Sequence, residues 1–375
     1  MLPYNIDFFD HEGDYVTNSN IDGIDIEEDY LSGGDNTLDI VNTNNANSIS
    51  RGGYVHLTKN REGYIQEHFG YITGITKDQI NNSIIKVKWS DVLNAFNVNW
   101  CIDTDVQHSG VALEAYIAEQ MQLIANQTIM LNNPGMAINF TTTSSTTDWG
   151  FNLKAQAEGQ HNLITNFKST IINRALKEYD VAVLISPSFD NYSQTKITLN
   201  VTIGKISESY KTIEADLINT IDKSVTLHDS SNDVNRLKIY NELNFNQAYT
   251  YLVGADGQTY RVDQSGDTNQ QYPVIFETMS IRSETGFEAS ALANAKSKFK
   301  QSEYADLIEL TYAINDGMIK PLQLDIMKKY NIIFDGKEYK TIMTGKEIKD
   351  GKVKLTFGTN RMDLTKILKQ GGQNG

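Results

Sequence analysis

The chain has little of several things, and each shortage excludes something. Cys101 is the single cysteine in 375 residues. No intrachain disulfide is therefore possible, and a reducing compartment suits at least the assembly of the protein. Positive charge is short. Lys and Arg number 33 against 47 Asp and Glu, a formal net charge of −14. That balance argues against nucleic acid as a bound partner, and no sequence-specific nucleic-acid binding is expected, because phosphate binding needs clustered Lys and Arg. A duplex that passes by without sticking is not excluded. Long apolar runs are missing: stretches such as Val181–Ile185 are far too short to span a bilayer. The start, MLPYNIDFFDHEG, is acidic and lacks the basic opening and apolar centre of a signal peptide. Proline is scarce, with 5 in the chain, while Asn, Thr, Asp, Ser and the 19 Tyr are plentiful, a composition that suits a β-rich, loop-rich protein of an extracellular particle.

Chemistry-bearing constellations are also absent. His11, His56, His68, His108, His161 and His228 are scattered, and none sits in a nucleophile elbow or protease context, so they are expected to be solvated or structural. Asp25, Glu27, Glu28 and Asp29 could suggest a glycosidase, but that chemistry needs two carboxyls across a cleft. Alternation on the solvent face of a strand explains them better. Asp229, Ser231 and Asp233 have ligand-like alternate spacing, yet Val234 stands where a calcium loop needs Gly, and no Glu closes the loop. Gly33-Gly34-Asp35 and Arg51-Gly52-Gly53 read as turns, since neither follows a buried strand and opens a helix as a phosphate loop must. Cys101, beside Trp100, reads as a packing residue. The tyrosines suit subunit interfaces and half-buried strands, with sugar stacking as the second reading. No catalytic, cofactor-binding or metal-ligating residue is nominated, and no cofactor is expected.

What the chain does contain is clearest between Tyr339 and Lys369. Asp350-Gly351 and Asp335-Gly336 each predict a two-residue hairpin, because both central positions of a type I′ turn need positive φ. Val353, Leu355 and Phe357 alternate with polar residues and give a strand one apolar face. The chain turns at Gly358, and Leu364, Ile367 and Leu368 share a face of a short closing helix. This three-strand meander has an echo near the start. Thr73-Gly74 matches Thr344-Gly345, Lys77-Asp78 matches Lys349-Asp350, and Lys86-Val87-Lys88 matches Lys352-Val353-Lys354. Val92, Leu93 and Phe96 repeat the closing helical turn. Matches in fixed order with drifting offsets imply two repeats of one domain type and not a short-period solenoid.

The expected fold class is α+β, mostly β: two similar small β-barrels, an α+β domain and an inserted α+β segment. Residues 1–100 form the first barrel, with strands at Ile24–Tyr30, Thr37–Val41, Tyr54–Leu57, Phe69–Ile75 and Ile84–Trp89. Residues 101–206 form the α+β domain. One helix there carries Leu113, Tyr116, Ile117, Met121 and Ile124 after a possible cap at Ser109, and a second carries Ile164, Phe167, Ile171 and Ala175. Val181–Ile185 is a buried strand, and Ile197, Leu199, Val201 and Ile203 alternate along another. Residues 207–375 form the second barrel, in which IEADL at Ile213–Leu217 resembles the first strand of the N-terminal repeat. Residues 229–302 interrupt it with further strands, an Asp256-Gly257 turn and a helix bearing Phe287, Ala291, Ala295 and Phe299.

Three stretches carry a family resemblance: TGKEIKDGKVKLTFGTNRMDLTKILK, SALANAKSKF, and the insert run NRLKIYNELN…YTYLVGADGQ…YPVIFET. The chain resembles the tail hub proteins of siphophage baseplates, the hub region of tail-associated lysin-type proteins, and among them the lactococcal siphophage hubs. Contractile-phage central hubs and type VI secretion spike hubs share that fold. The resemblance implies a homotrimer ringing the tip of the tail tube. It implies two barrels per chain, six in all, docked on the hexameric distal tail protein, with the tape measure protein and receptor-binding proteins as further partners. It implies a virion location at the tail tip, assembly in the host cytoplasm, a DNA exit channel through the ring, and no enzyme activity. Lysin-type relatives continue into peptidase or carbohydrate-binding domains. This chain stops at Gly375, so those activities are not expected. A protein that binds or hydrolyses cell-wall polysaccharide is the alternative, and binding or cleavage of purified polysaccharide by the isolated chain would mark it.

Overall fold

The computed structural model describes residues 4–359, except 20, 35, 42–47, 62–63, 78–83, 105–109, 130–135, 148, 152, 154–161, 190–196, 218, 228–232, 267–269, 284 and 301–303. His108, His161, His228, Asp229, Ser231, the cap at Ser109, the loop after Lys77 and the closing helix with Leu364, Ile367 and Leu368 lie outside the described residues.

The first hundred residues are strands because their apolar side chains recur every second position. They form β1 (Asn5–Phe9), β2 (Tyr15–Ser19), β3 (Ile21–Asp29), β4 (Asn36–Val41), β5 (Tyr54–Arg61), β6 (Tyr64–Lys77) and β7 (Ile84–Asp91). Their spatial order is β3-β4-β7-β6-β5-β1-β2. The long strand β6 serves two neighbours: its first half pairs with β5 and its second half with β7. The pairing with β7 shifts between Ile72 and Gly74. A bulge of this kind bends a strand and increases its twist, which lets one strand serve two sheet directions. A 3₁₀ turn, Val92–Phe96, closes the unit and buries Val92, Leu93 and Phe96. Its Asp91 cap accepts from the Leu93 N–H at 2.7 Å.

The next section holds β8 (Asn99–Asp103), α1 (Leu113–Gln127), β9 (Ala137–Thr142), β10 (Asn162–Asn166), α2 (Asn173–Tyr179), β11 (Val181–Phe189) and β12 (Ile197–Lys205). The central strand β12 pairs antiparallel with β11 and parallel with β9. Leu113, Tyr116, Ile117, Met121 and Ile124 of α1 are buried, as are Ile197, Leu199, Val201 and Ile203. Ala112 caps α1 without a side-chain bond. Glu114 in its first turn is wholly buried. Ser144 Oγ, Thr146 Oγ1 and the Thr146 N–H donate to its carboxylate. The second helix departs from expectation. Ile164 lies on strand β10 and is 68% exposed. The helix starts after it with a π turn, Lys168–Ile172, and the buried positions are Phe167, Ile171 and Ala175. β10 pairs with β8, and that cross-strand demand overrides the helical spacing.

The C-terminal part contains β13 (Tyr210–Glu214), β14 (Thr220–Thr226), β15 (Arg236–Asn241), β16 (Asn244–Val253), β17 (Thr259–Arg261), α3 (Val262–Ser265), β18 (Phe276–Ile281), α4 (Phe287–Lys300), β19 (Leu307–Ala313), β20 (Lys329–Phe334), β21 (Lys337–Lys349) and β22 (Lys352–Phe357). β17-β16-β15-β18 make a sheet of their own. α4 packs on it through a small separate core that includes Leu237, Ile239, Tyr251, Phe287, Ala291 and Ala295. Both hairpin turns take the conformation their residues require: φ is 48° and 71° at Asp335-Gly336, and 47° and 74° at Asp350-Gly351.

The duplication is visible strand by strand. β14-β19-β22-β21-β20-β13 repeats the order β3-β4-β7-β6-β5-β1. The pairing of β21 with β22 shifts between Met343 and Gly345, as that of β6 with β7 does between Ile72 and Gly74. β14 and β19 shift between Thr220 and Asp222, as β3 and β4 do between Ile21 and Gly23. Registers therefore align Thr73-Gly74 with Thr344-Gly345, and Trp89 with Phe357. They also correct three expected matches. Lys77 corresponds to Ile348, one residue before the expected Lys349, so that match falls on the wrong face of the strand. Lys86-Val87-Lys88 corresponds to Lys354-Leu355-Thr356, two residues beyond the expected partners, a slip that keeps each side chain on its face. Ile213–Leu217 does not correspond to β3. Its β13 lies beside β20, parallel to it, where β1 lies antiparallel beside β5.

No closed barrel forms among the described residues. β3 pairs with β21, so both repeats join one thirteen-stranded sheet. The described residues are mostly β with four α-helices, and several antiparallel and mixed sheets stand where two barrels were expected. One edge of each repeat, β3 in the first and the second half of β21 in the other, is satisfied by the other repeat and not by curling back on itself.

Candidate functional site

The seam between the repeats is where charged groups concentrate in the interior. β3 meets the second half of β21 with Asp29 opposite Gly345, Glu28 opposite Lys346, Glu27 opposite Glu347 and Ile26 opposite Ile348. The ladder continues when the Tyr30 N–H donates to Thr344 O at 3.0 Å. The backbones come close here. A Cβ on Gly34 would stand 1.9 Å from Glu27 O, so any larger residue would push the β3–β4 hairpin away. The Tyr30 hydroxyl then accepts from the Val183 N–H at 2.9 Å, and Asn173 Nδ2 donates to Leu31 O at 2.9 Å. Those bonds fasten the seam to α2 and β11.

Glu28 is the hub of the charge arrangement. Its Oε1 lies 2.8 Å from His68 Nδ1, and its Oε2 lies 3.9 Å from Lys346 Nζ. Burial raises the Glu28 carboxyl, but the charge and hydrogen bond of His68, together with Lys346, outweigh it and hold the group at about 2. Asp91 lies across a cleft of about 250 Å³ that also borders Glu28, His68 and Lys168. Burial pushes Asp91 up to about 6, and Glu28 adds to that, while the Leu93 N–H, Lys168 and His68 oppose it. Lys168 is shifted downward by burial, with Asp91 and Asp29 pulling the other way, and its Nζ donates to Asn94 Oδ1 at 2.7 Å.

These opposite shifts give a pH dependence with a definite sign. Glu28 is depressed below its unfolded value, so its contribution is present above about pH 4.5 and is lost as the pH falls toward 2. Asp91 is raised, so its ionised form costs stability above pH 6, and that cost is relieved as the pH falls through 6 toward 4. Asp91→Asn keeps the cap to Leu93 and removes the charge. It should stabilise the fold by about 2 kcal/mol at pH 8, with the gain shrinking steadily below pH 6, as read from urea unfolding midpoints.

The residues weighed from sequence fall as follows. Glu28 does not lie on a solvent face: its carboxylate is held between His68, 40 residues on in the same repeat, and Lys346 of the second repeat. Asp25 pairs with Lys349, and Asp29 Oδ1 accepts from the Leu31 N–H. His56 bonds Glu67 at 2.7 Å and His68 bonds Glu28, both on the sheet, whereas His11 is exposed beside Glu12. Cys101 is exposed on β8, opposite Ile164, and is not a packing residue. Trp100 next to it packs against the core, with its Nε1–H donated to Gln120. Among the described residues no three His, Cys, Asp or Glu groups are placed to hold a metal ion, and no helix is long and apolar enough to cross a membrane. Sequence reasoning missed Lys346, Lys168 and Asp91. Lys346 sits in the Thr-Gly-Lys run already singled out, but only the pairing of β21 with β3 places it opposite a carboxylate.

No protein-family model matches this chain, and no curated protein matches it. Solved structures do. A tail protein from Neisseria meningitidis MC58 is 12% identical, covers 95% of this chain and 96% of its own, and superposes with a TM-score of 0.52. The 43 kDa tail protein of prophage MuSo2 from Shewanella oneidensis is 10% identical over 95% of this chain and 98% of its own, with a TM-score of 0.49. A chain of the phage P2 baseplate in its activated conformation is 12% identical over 97% of this chain and all of its own, with a TM-score of 0.46. At these identities the likeness is one of fold: this chain is built like the Neisseria tail protein.

Proposed function

We propose that this protein is the structural hub of a phage tail tip. Three chains form a ring at the end of the tail tube, dock on the hexameric distal tail protein, organise the host-adsorption apparatus and line the DNA exit channel. Residues 1–100 and 207–375, the latter interrupted by 229–302, are then the two ring-forming units, and 101–206 is the domain that braces them. The observation that carries this reading is the duplicated strand order with shifts at matching positions. A chain with two equivalent units lets three chains offer six equivalent surfaces, which is what a threefold body needs to sit on a sixfold one. The tail-protein fold agrees with it, and the net charge of −14 suits a channel that lets DNA slide.

Light scattering of the purified chain, alone and with the distal tail protein, tests the proposal. A mass of three chains, and one such trimer per hexameric ring, is expected. A monomer that ignores the ring would overturn it. Opening of the channel is then a movement about the segments near residues 100, 207 and 302. Disulfides that lock neighbouring subunits at the axis should block DNA ejection while leaving adsorption intact.

A further inference from the structure

We propose that a second copy of this chain docks edge to edge on the first. β14 of one copy pairs antiparallel with Gly74–Lys77 of β6 in the next, so the sheet runs on from chain to chain. This deepens the ring reading above and rests on it for the number of chains, while the surface itself follows from the fold.

The seam within the chain is the template. There, the outer edge of β3 pairs with the second half of β21. By strand order and by the positions of the shifts, β14 is the equivalent of β3, and β6 is the equivalent of β21. Yet, among the described residues, β14 pairs only with β19, and Gly74–Lys77 pairs only with β7. Each repeat thus carries both halves of one joint. The chain uses β3 and β21 internally, and β14 and β6 remain.

Burial marks the same difference. Thr344, Gly345 and Lys346 are all buried under β3, with Thr344 at 0% exposure, and Glu347 is half-buried. At the equivalent positions Thr73 is exposed, Gly74 and Ile75 are half-buried and Thr76 is exposed. On β3, Ile26 is fully buried, while its equivalent Val225 is half-buried and the next apolar residue, Leu227, is 59% exposed. Unpaired N–H and C=O groups beside exposed apolar side chains are a template for another strand, and native proteins seldom leave one bare.

The seam's register, carried over, predicts the contacts. Lys77 falls opposite Val225, Thr76 opposite Thr226 and Ile75 opposite Leu227. The chemistry changes in a telling way. Where the internal seam sets Lys346 against Glu28, the external one sets Ile75 against Leu227. An ion pair suits a joint that never opens to water. An apolar pair suits one formed by two folded chains, because burying two exposed side chains drives association without stripping charges. The contact is heterologous, one edge meeting a different edge, so successive copies close into a ring when the rotation permits.

The test uses the full chain with Cys101→Ser and the paired variant Thr76→Cys/Thr226→Cys. Residues directly opposite on antiparallel strands lie within disulfide reach. Oxidation should give interchain disulfides that end in one closed species, read as mass without reductant. Thr76→Cys/Asp222→Cys should give none, because four residues along a strand is about 13 Å. Leu227→Lys should weaken self-association by about tenfold or more and leave the circular dichroism spectrum and unfolding midpoint unchanged. If the wild type has the mass of three chains but the opposed cysteines do not link copies, or link within one chain, this interface is wrong and the hub reading stands. If the wild type stays monomeric with and without the tail ring, the hub reading falls and the interface falls with it.

Discussion

Asp180→Asn should cost the fold about 3 kcal/mol at neutral pH, out of proportion to a change of one atom. Asp180 ends α2 in the left-handed region, φ 56°, which Asn also accepts, so the backbone should not move. Its Oδ2 receives both Lys300 Nζ and Lys329 Nζ at 2.9 Å. The Lys329 side chain is 1% exposed, and its other carboxylate partner, Glu208 at 2.8 Å, is 77% exposed. Burial lowers the Lys329 amine, but the bonds it donates to Glu208 and Asp180 raise it further, so the amine remains charged in the folded protein. Neutralising Asp180 leaves a buried ammonium facing one solvated carboxylate, and a buried charge without its partner is expensive. The loss should be seen as a lower urea midpoint that is flat between about pH 6 and 9. It should narrow only as Lys329 itself loses its proton, because a raised lysine contributes below its unfolded value and ceases to contribute above its folded one. Adding Lys329→Met should recover about 2 kcal/mol by removing the stranded charge. If the double variant is weaker than the single one, packing and not charge governs the site.

Trp89→Ala and Phe357→Ala should each cost about 4 kcal/mol. Trp89 is 2% and Phe357 0% exposed, and they occupy the same place in the two repeats, each opposite the residue that begins the strand shift. Trp89→Phe should be far milder. The ring volume is largely kept, and the indole N–H, which is buried without a hydrogen-bond partner among the described residues, disappears. Both alanine variants should still unfold in one transition. Ile26, Leu38 and Val87 of the first repeat share a single core with Ile308, Leu310 and Leu355 of the second, so neither repeat can open without exposing the other. Two resolved transitions in denaturant would show that the shared sheet does not couple them.

The strands were legible because their cause is local. A period of two in Val353, Leu355 and Phe357, or in Ile197, Leu199, Val201 and Ile203, sets which side is apolar without reference to the rest of the chain. The same holds for the Asp-Gly turns, whose φ values belong to the two residues themselves. β1 and β2 were missed because Asn5–Phe9 and Tyr15–Ser19 are short and partly polar and become strands by pairing with each other and with β5. By its spacing to Phe167 and Ile171, Ile164 fits a helix. Its strand conformation comes from β8, a partner more than sixty residues earlier.

The order of residues alone pointed to one β unit occurring twice, since a Thr-Gly pair, an alternating strand and a closing helical turn recur in the same order in both halves, and its acidity pointed away from a protein that holds DNA by its phosphates. It could not say whether each unit closes on itself or leans on the other. That choice depends on which strand edges meet, and an edge's partner is set by the shape and charge of a surface assembled from distant segments. Tertiary structure decided it by placing Glu28 against Lys346 and His68, which joins the repeats into one sheet and leaves the equivalent edges, β14 and the end of β6, facing outward.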